Sequence, residues 1–184
     1  MKAMTHPYPL LARRTVETYL DSREPADELW ADLAGGQPDL ATLRRGCFVS
    51  IKTLTGDLRG CIGTIAPVRD SLAHEIMANA VSAATRDPRF RPMAASELAG
   101  VKFSVDVLSP PEKITGLDDL DPARWGVIVS RGHQRGLLLP DLEGVDTVEK
   151  QVSIAAQKAG LDRLDGVTLE RFSVDRHPEE GDGR

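Results

Sequence analysis

A chain of 184 residues, 41% hydrophobic and 28% charged, holds enough apolar material for one substantial core or two small lobes. Its formal net charge of −5 argues against duplex nucleic-acid binding by phosphate neutralisation, and no stretch approaches the roughly 20 apolar residues of a membrane span. Cys47 and Cys61 lack CxxC spacing and the four histidines are scattered, so neither a disulfide scaffold nor a metal centre is expected, and no cofactor.

Residues 1–9 lack the basic start and apolar run of a signal peptide, which makes a cytoplasmic location the expectation. A first helix is predicted over 10–20, with Leu11, Val16 and Leu20 apolar. Residues 21–37 are polar and broken by Pro25, Gly35 and Gly36, and Leu29, Trp30 and Leu33 read as a short packed turn. The clearest local structure follows. Segments 48–54 and 58–65 are β-prone, and Gly56-Asp57 between them has the form of a two-residue type II′ turn.

Next, Leu72, Ile76, Ala80 and Ala84 recur every four residues and predict a helix over 71–86, capped by Asp70 or Ser71 and stopped by Asp87-Pro88. Val101, Phe103, Val105 and Val107 alternate with polar residues, as a half-buried strand does. Ser109-Pro110-Pro111 breaks that strand, and a loop of about fifteen residues is expected, with the acidic stretch 109–122 as the seam between two lobes. A second hairpin over 126–130 and 135–139 turns near Gly132-His133. A helix over 147–159 begins at a Thr147 cap and ends in a Schellman motif at Gly160-Leu161. Residues 169–174 form a last strand, and a polar, mobile tail is expected over 178–184. Tight hairpins between neighbouring strands favour an α+β fold with largely antiparallel sheets flanked by helices.

The hairpin turn fixes a register. A two-residue turn at Gly56-Asp57 pairs Lys52 with Cys61 and Ser50 with Gly63. Val49, Ile51, Thr53, Leu58, Ile62 and Thr64 then share a core face, while Ser50, Lys52, Arg59 and Cys61 share the other. Cationic neighbours would pull the Cys61 thiol below its free value of about 8.5. Gly60, on the core face, would admit a packed helix, and Gly63 would leave room for a ligand. Cys47 falls on the face opposite Cys61, which excludes a disulfide between them. The alternative for Cys61 is a small buried hydrophobe, and a bulge or a longer turn would swap the faces.

Leu58-Arg59-Gly60-Cys61-Ile62-Gly63-Thr64 resembles the signature of the AMMECR domain family. Asp87-Pro88-Arg89-Phe90, the stretch from Arg135 through Pro140 to Asp141, and Lys158-Ala159-Gly160 resemble later landmarks of that family. The segment from Gly144 to Glu149, with the ending Glu170-Arg171-Phe172, is most similar to members called AmmeMemoRadiSam system protein A. The resemblance spans residues 8–177 and implies a single domain of two unequal lobes sharing a cleft, with the signature near it. It further implies association with a Memo-like protein, itself similar to non-haem iron dioxygenases, and with a radical SAM protein. This chain lacks the cysteine cluster that would hold an iron–sulfur centre of its own.

Two functions remain open. In the first, Cys61 and Arg59 are catalytic, and Lys52, Gly60, Gly63, Arg89 and Arg135 bind a small or peptide-borne group. Arg89 equally fits a salt bridge to Asp87 or a helix-end cap. His133 would serve as a base only if its hairpin tip reached Cys61; His74 reads as a satisfied polar residue, and Asp106 and Glu112 are carboxylates with no evident partner. In the second, the same strand binds partner proteins without turnover.

Overall fold

The computed structural model describes residues 6–22, 30–34 and 37–179. The elements run α1 (Pro7–Ser22), α2 (Ala31–Ala34), α3 (Asp39–Thr42), β1 (Cys47–Thr53), β2 (Leu58–Gly63) and α4 (Leu72–Thr85). They continue with β3 (Val101–Leu108), β4 (Glu112–Ile114), β5 (Gly126–Arg131), β6 (Gln134–Leu138), α5 (Val148–Lys158), β7 (Thr168–Phe172) and β8 (Val174–Pro178). The fold is α+β, with two antiparallel four-stranded sheets ordered β2-β1-β3-β8 and β4-β7-β5-β6. The chain divides into two unequal units. One holds the residues up to Val107 and those from Arg176 onward, and the other runs from Leu108 to Asp175.

In the larger unit, alternation along β1 and β3 puts Cys47, Val49, Ile51, Phe103, Val105 and Val107 on one buried face. Leu72, Ile76, Ala80 and Ala83 of α4, together with Leu11, Ala12 and Val16 of α1, complete that core. Ser71 caps α4 by accepting from the His74 backbone N–H (3.4 Å). Trp30 and Leu33 pack against the same core, whereas Leu29 lies outside the described residues.

The smaller unit packs α5 on β5 and β6, burying Val127, Val129, Leu138, Val152, Ala155 and Ala156. Thr147 caps α5 through the Lys150 N–H (3.2 Å). Gly160, at φ +71°, ends it: its N–H donates to Gln157 O (2.9 Å) and that of Leu161 to Ala156 O (2.9 Å), the paired bonds of a Schellman motif.

Three expectations are corrected. The loop after Pro111 contains β4 and a short 3-10 turn, Leu117–Asp119. The last strand is two strands, β7 in one sheet and β8 in the other. Both β4 and β8 are sheet edges rich in charge, which suits an edge and hides it from an alternation reading. The tail is also fixed further than expected. Pro178 lies in β8, and the Glu179 carboxylate accepts from Arg13 Nη2 (2.9 Å) and from the Phe103 N–H (2.9 Å). Residues 180–184 lie outside the described residues.

Candidate site on the signature strand

The β1–β2 hairpin closes on three loop residues. Gly56 N–H donates to Thr53 O (2.9 Å) and Thr53 N–H to Asp57 O (2.8 Å), leaving Leu54, Thr55 and Gly56 as the loop, with Gly56 at φ +95°. This is one residue more than a two-residue turn and carries the glycine at its left-handed end. The longer loop alone would have moved every β2 side chain to the opposite face. A bulge then intervenes. Lys52 pairs with Leu58 but Ile51 with Gly60, so Arg59 is the extra residue.

The two displacements cancel in face but not in register. Cys61 stays off the core face, yet it opposes Ser50 rather than Lys52, and Gly63 opposes Phe48. Leu58 does change sides: it shares a row with Lys52 and is exposed rather than in the core. Cys47 is fully buried on the other face, and both cysteines are free.

Cys61 is half-buried, and the Ser50 hydroxyl donates to its sulfur (3.1 Å). Burial pushes the thiol up from its ordinary value; the Ser50 hydrogen bond and the Arg89 charge offset part of this, and Asp106 and Asp87 add to it. The expected depression by Lys52 and Arg59 is therefore overturned. Arg59 is committed elsewhere, its Nε and Nη2 bonding the Glu97 carboxylate (2.7 and 3.0 Å) and Nη2 also the Arg91 carbonyl (3.1 Å). That guanidinium holds the Glu97 carboxyl below its ordinary value. Cys47, buried among apolar side chains, is pushed up to about 12.

The backbone of Cys61 carries the most specific contacts. Thr64 N–H donates to Cys47 O (3.0 Å), so by alternation the Ser50–Cys61 pair is a non-hydrogen-bonded one. Cys61 N–H and C=O then point off the sheet edge, since β2 is the outermost strand. Residues 87–89 meet both. The N–H donates to Asp87 Oδ2 (2.9 Å), and Arg89 Nη2 approaches the C=O (3.4 Å). Arg89 also grips Asp87 through Nε to Oδ1 (2.9 Å) and Nη2 to Oδ2 (2.7 Å). One acceptor and one donor thus stand where the next strand would. The Arg89 hydrogen bonds hold the Asp87 carboxyl well below the carboxylate range, with the Cys61 N–H contributing and burial opposing.

The two glycines differ from one another. A Cβ at Gly60 would strike the Ala83 carbonyl of α4, so its bareness admits the helix, as expected. A Cβ at Gly63 would strike the Phe48 ring, so the space expected for a ligand is filled. Arg135, in the other unit, makes an exposed ion pair with Glu170 (3.2 Å), and His133 follows Gly132 (φ +60°) at the β5–β6 tip. His74 bonds Ser71 Oγ through Nδ1 (2.8 Å).

Four residues were not singled out for the contacts they make. Glu75, fully buried, accepts from Thr64 Oγ1 (2.6 Å) and from the Val68 and Arg69 N–H groups (2.8 and 2.9 Å). Asn79 Nδ2 donates to Cys47 O (3.0 Å) and Thr64 Oγ1 (3.2 Å). Both sit on the apolar side of α4, and polar residues at i and i+4 on a buried face were the available signal. Asp106 finds its partner in Arg176 (Nε to Oδ1, 3.0 Å), and Glu97 finds Arg59. No three His, Cys, Asp or Glu among the described residues gather as a metal site, and no helix of theirs is long and apolar enough to cross a membrane.

The AMMECR1 family model matches residues 10–177. A protein of Clostridium acetobutylicum is 48% identical over 178 residues, covering 94% of this chain but 36% of its own length. One of Thermotoga maritima is 46% identical over 176 residues, covering 94% of this chain and 97% of its own. The crystal structure of an uncharacterised protein from Pyrococcus horikoshii superposes with a TM-score of 0.83 at 30% identity, covering 93% of this chain and 89% of that one. The present chain thus spans about a third of the Clostridium relative and nearly all of the Thermotoga one.

Proposed function

Since the chain belongs to the AMMECR1 family, we propose that it is a binding module for a Memo-like, dioxygenase-like protein and a radical SAM protein, with the signature strand as its recognition element. The observation that carries this is how the signature's polar groups are employed. Arg59 is spent on Glu97, Asp87 and Arg89 on the Cys61 backbone, and burial favours the protonated thiol. A nucleophile needs a base within hydrogen-bond reach. The group that reaches this sulfur is a serine hydroxyl, which donates to it. That the Clostridium relative carries the matched region within a longer chain is in keeping with a domain that works beside another polypeptide.

Calorimetric titration against each purified partner from the same organism tests the reading. Measurable affinity that weakens in Ser50→Ala and Cys61→Ala is expected, with no chemical change in either protein by mass spectrometry. Turnover of a substrate that stops in Cys61→Ser at unchanged affinity would sink it.

The catalytic reading keeps one point in its favour, because the Ser50 hydrogen bond and the Arg89 charge both favour thiolate. Cys61 would then attack a small or peptide-borne group, with Arg89 on its anionic part. Iodoacetamide rates followed over about pH 6–10 decide it: an apparent pKa below the free value of about 8.5 is required.

A further inference from the structure

Phe90, the last residue of the Asp87-Pro88-Arg89-Phe90 motif, carries two guanidiniums over its ring. Arg59 Cζ is 5.8 Å from the ring centroid and Arg89 Cζ 5.6 Å. Both distances fall within the roughly 6 Å at which an aromatic face attracts a cation. The ring is half-buried, and the backbone on either side of it is pinned. Phe90 N–H donates to Asp87 O (3.1 Å), Arg91 O accepts from Arg59 Nη2 (3.1 Å), and Met93 N–H donates to Ala84 O of α4 (2.8 Å).

Each guanidinium is already paired with a carboxylate, so the ring adds orientation rather than charge balance. Arg89 has the greater need of it. Its side chain is 54% exposed and folds back on Asp87, two residues earlier, where water competes for every bond it makes. Arg59 has a different need, because its Nη1 is buried without a hydrogen-bond partner among the described residues. An aromatic face is a weak acceptor for such an N–H. We propose that Phe90 is a positioning residue of the signature strand: its ring holds Arg89 against Asp87 and the Cys61 carbonyl and receives the unpaired N–H of Arg59. This rests on the reading of that strand as the recognition element, and it names the residue that keeps the strand's clamp in place. A leucine would fill much of the same space but carries no ring quadrupole to orient a guanidinium.

Hydrogen exchange followed by nuclear magnetic resonance on this protein alone is the test. Two groups are read: the Arg89 Nε–H, which bonds Asp87 Oδ1, and the Cys61 N–H, which bonds Asp87 Oδ2. Phe90→Leu is expected to speed both about two- to fivefold relative to the amides of β1 and β3. Phe90→Tyr, which keeps an electron-rich ring, is expected to exchange as wild type does. Replacement of Phe90 by pentafluorophenylalanine keeps the shape and reverses the ring quadrupole, so it should behave as the leucine variant does. If Phe90→Leu fails to fold, that isosteric ring decides alone. Wild-type exchange in the fluorinated protein overturns the proposal. So does acceleration spread equally over β1 and β3, which would make Phe90 ordinary packing. Because no partner is present, failure here leaves the recognition reading to the partner titrations, and failure there leaves the role of Phe90 to the exchange rates.

Discussion

In the β1–β2 hairpin an arginine and a glycine stand at Arg59-Gly60; in the β5–β6 hairpin they stand at Arg135-Gly136. Both pairs lie on the outer strand of their sheet, and both glycines leave room for a helix backbone, Ala83 of α4 and Ala155 of α5. Both arginines pair with a glutamate, Glu97 and Glu170. The residue after the glycine is where they part. Leu137 opposes Ile128, and both are buried. Cys61 opposes Ser50, half-buried, with its backbone met by Asp87 and Arg89. Arginine and glycine are therefore scaffold in either hairpin, and the chemistry peculiar to the signature is Cys61, Ser50 and residues 87–89.

Alanine at either glycine attacks the shared part. Gly60→Ala and Gly136→Ala each force a methyl against a helix carbonyl, and each should lose about 3 kcal/mol in urea unfolding. A benign Gly60→Ala beside a costly Gly136→Ala would break the parallel.

Asp87→Asn tests the part that is not shared. It removes the charge from a nearly buried carboxylate gripped by Arg89, for a loss of about 2 kcal/mol at neutral pH. The Asp87 pKa is depressed in the folded state, so its contribution is complete above the unfolded value of about 3.9 and fades as pH falls toward the folded one. The stability gap between wild type and Asp87→Asn should thus be flat near neutrality and begin to close below about pH 4.

The arginines should separate by burial. Arg59, 15% exposed and doubly bonded to Glu97, should cost about 1 kcal/mol as alanine; Arg135, 41% exposed, should cost about 0.5 kcal/mol or less. Equal losses would contradict the difference in environment. The smallest effect expected is on thiol reactivity. Ser50→Ala and Arg89→Ala each remove an influence that favours thiolate, so each should slow Cys61 alkylation near neutral pH by about a few-fold. Faster alkylation in either would reverse the assignment.

The hairpin also shows how far sequence reaches. Both strands, the capped α4 and the Schellman end of α5 follow from periodicity and turn chemistry that neighbours along the chain decide. The register does not, because Gly56 serves equally as the first residue of a two-residue turn and the last of a three-residue loop; both need positive φ there. Arg59, the residue the bulge adds, bonds Glu97, thirty-eight residues away, a contact that the local sequence does not announce. For the site, Asp87-Pro88-Arg89 stands out in sequence, but its role as stand-in for a strand requires a bond between residues twenty-six apart. The positive charge acting on Cys61 therefore comes from Arg89 and not from its strand neighbours.

The position of β8 has a consequence for synthesis. The larger unit's sheet takes its fourth strand from residues 174–178, after the whole smaller unit has passed in sequence. Until then Asp106, nearly buried in the finished protein, has no Arg176, and Arg13 has no Glu179. A ribosome making this chain from its N-terminus therefore releases the smaller unit's strands and helix before the larger unit can close. The segment that begins first is completed last.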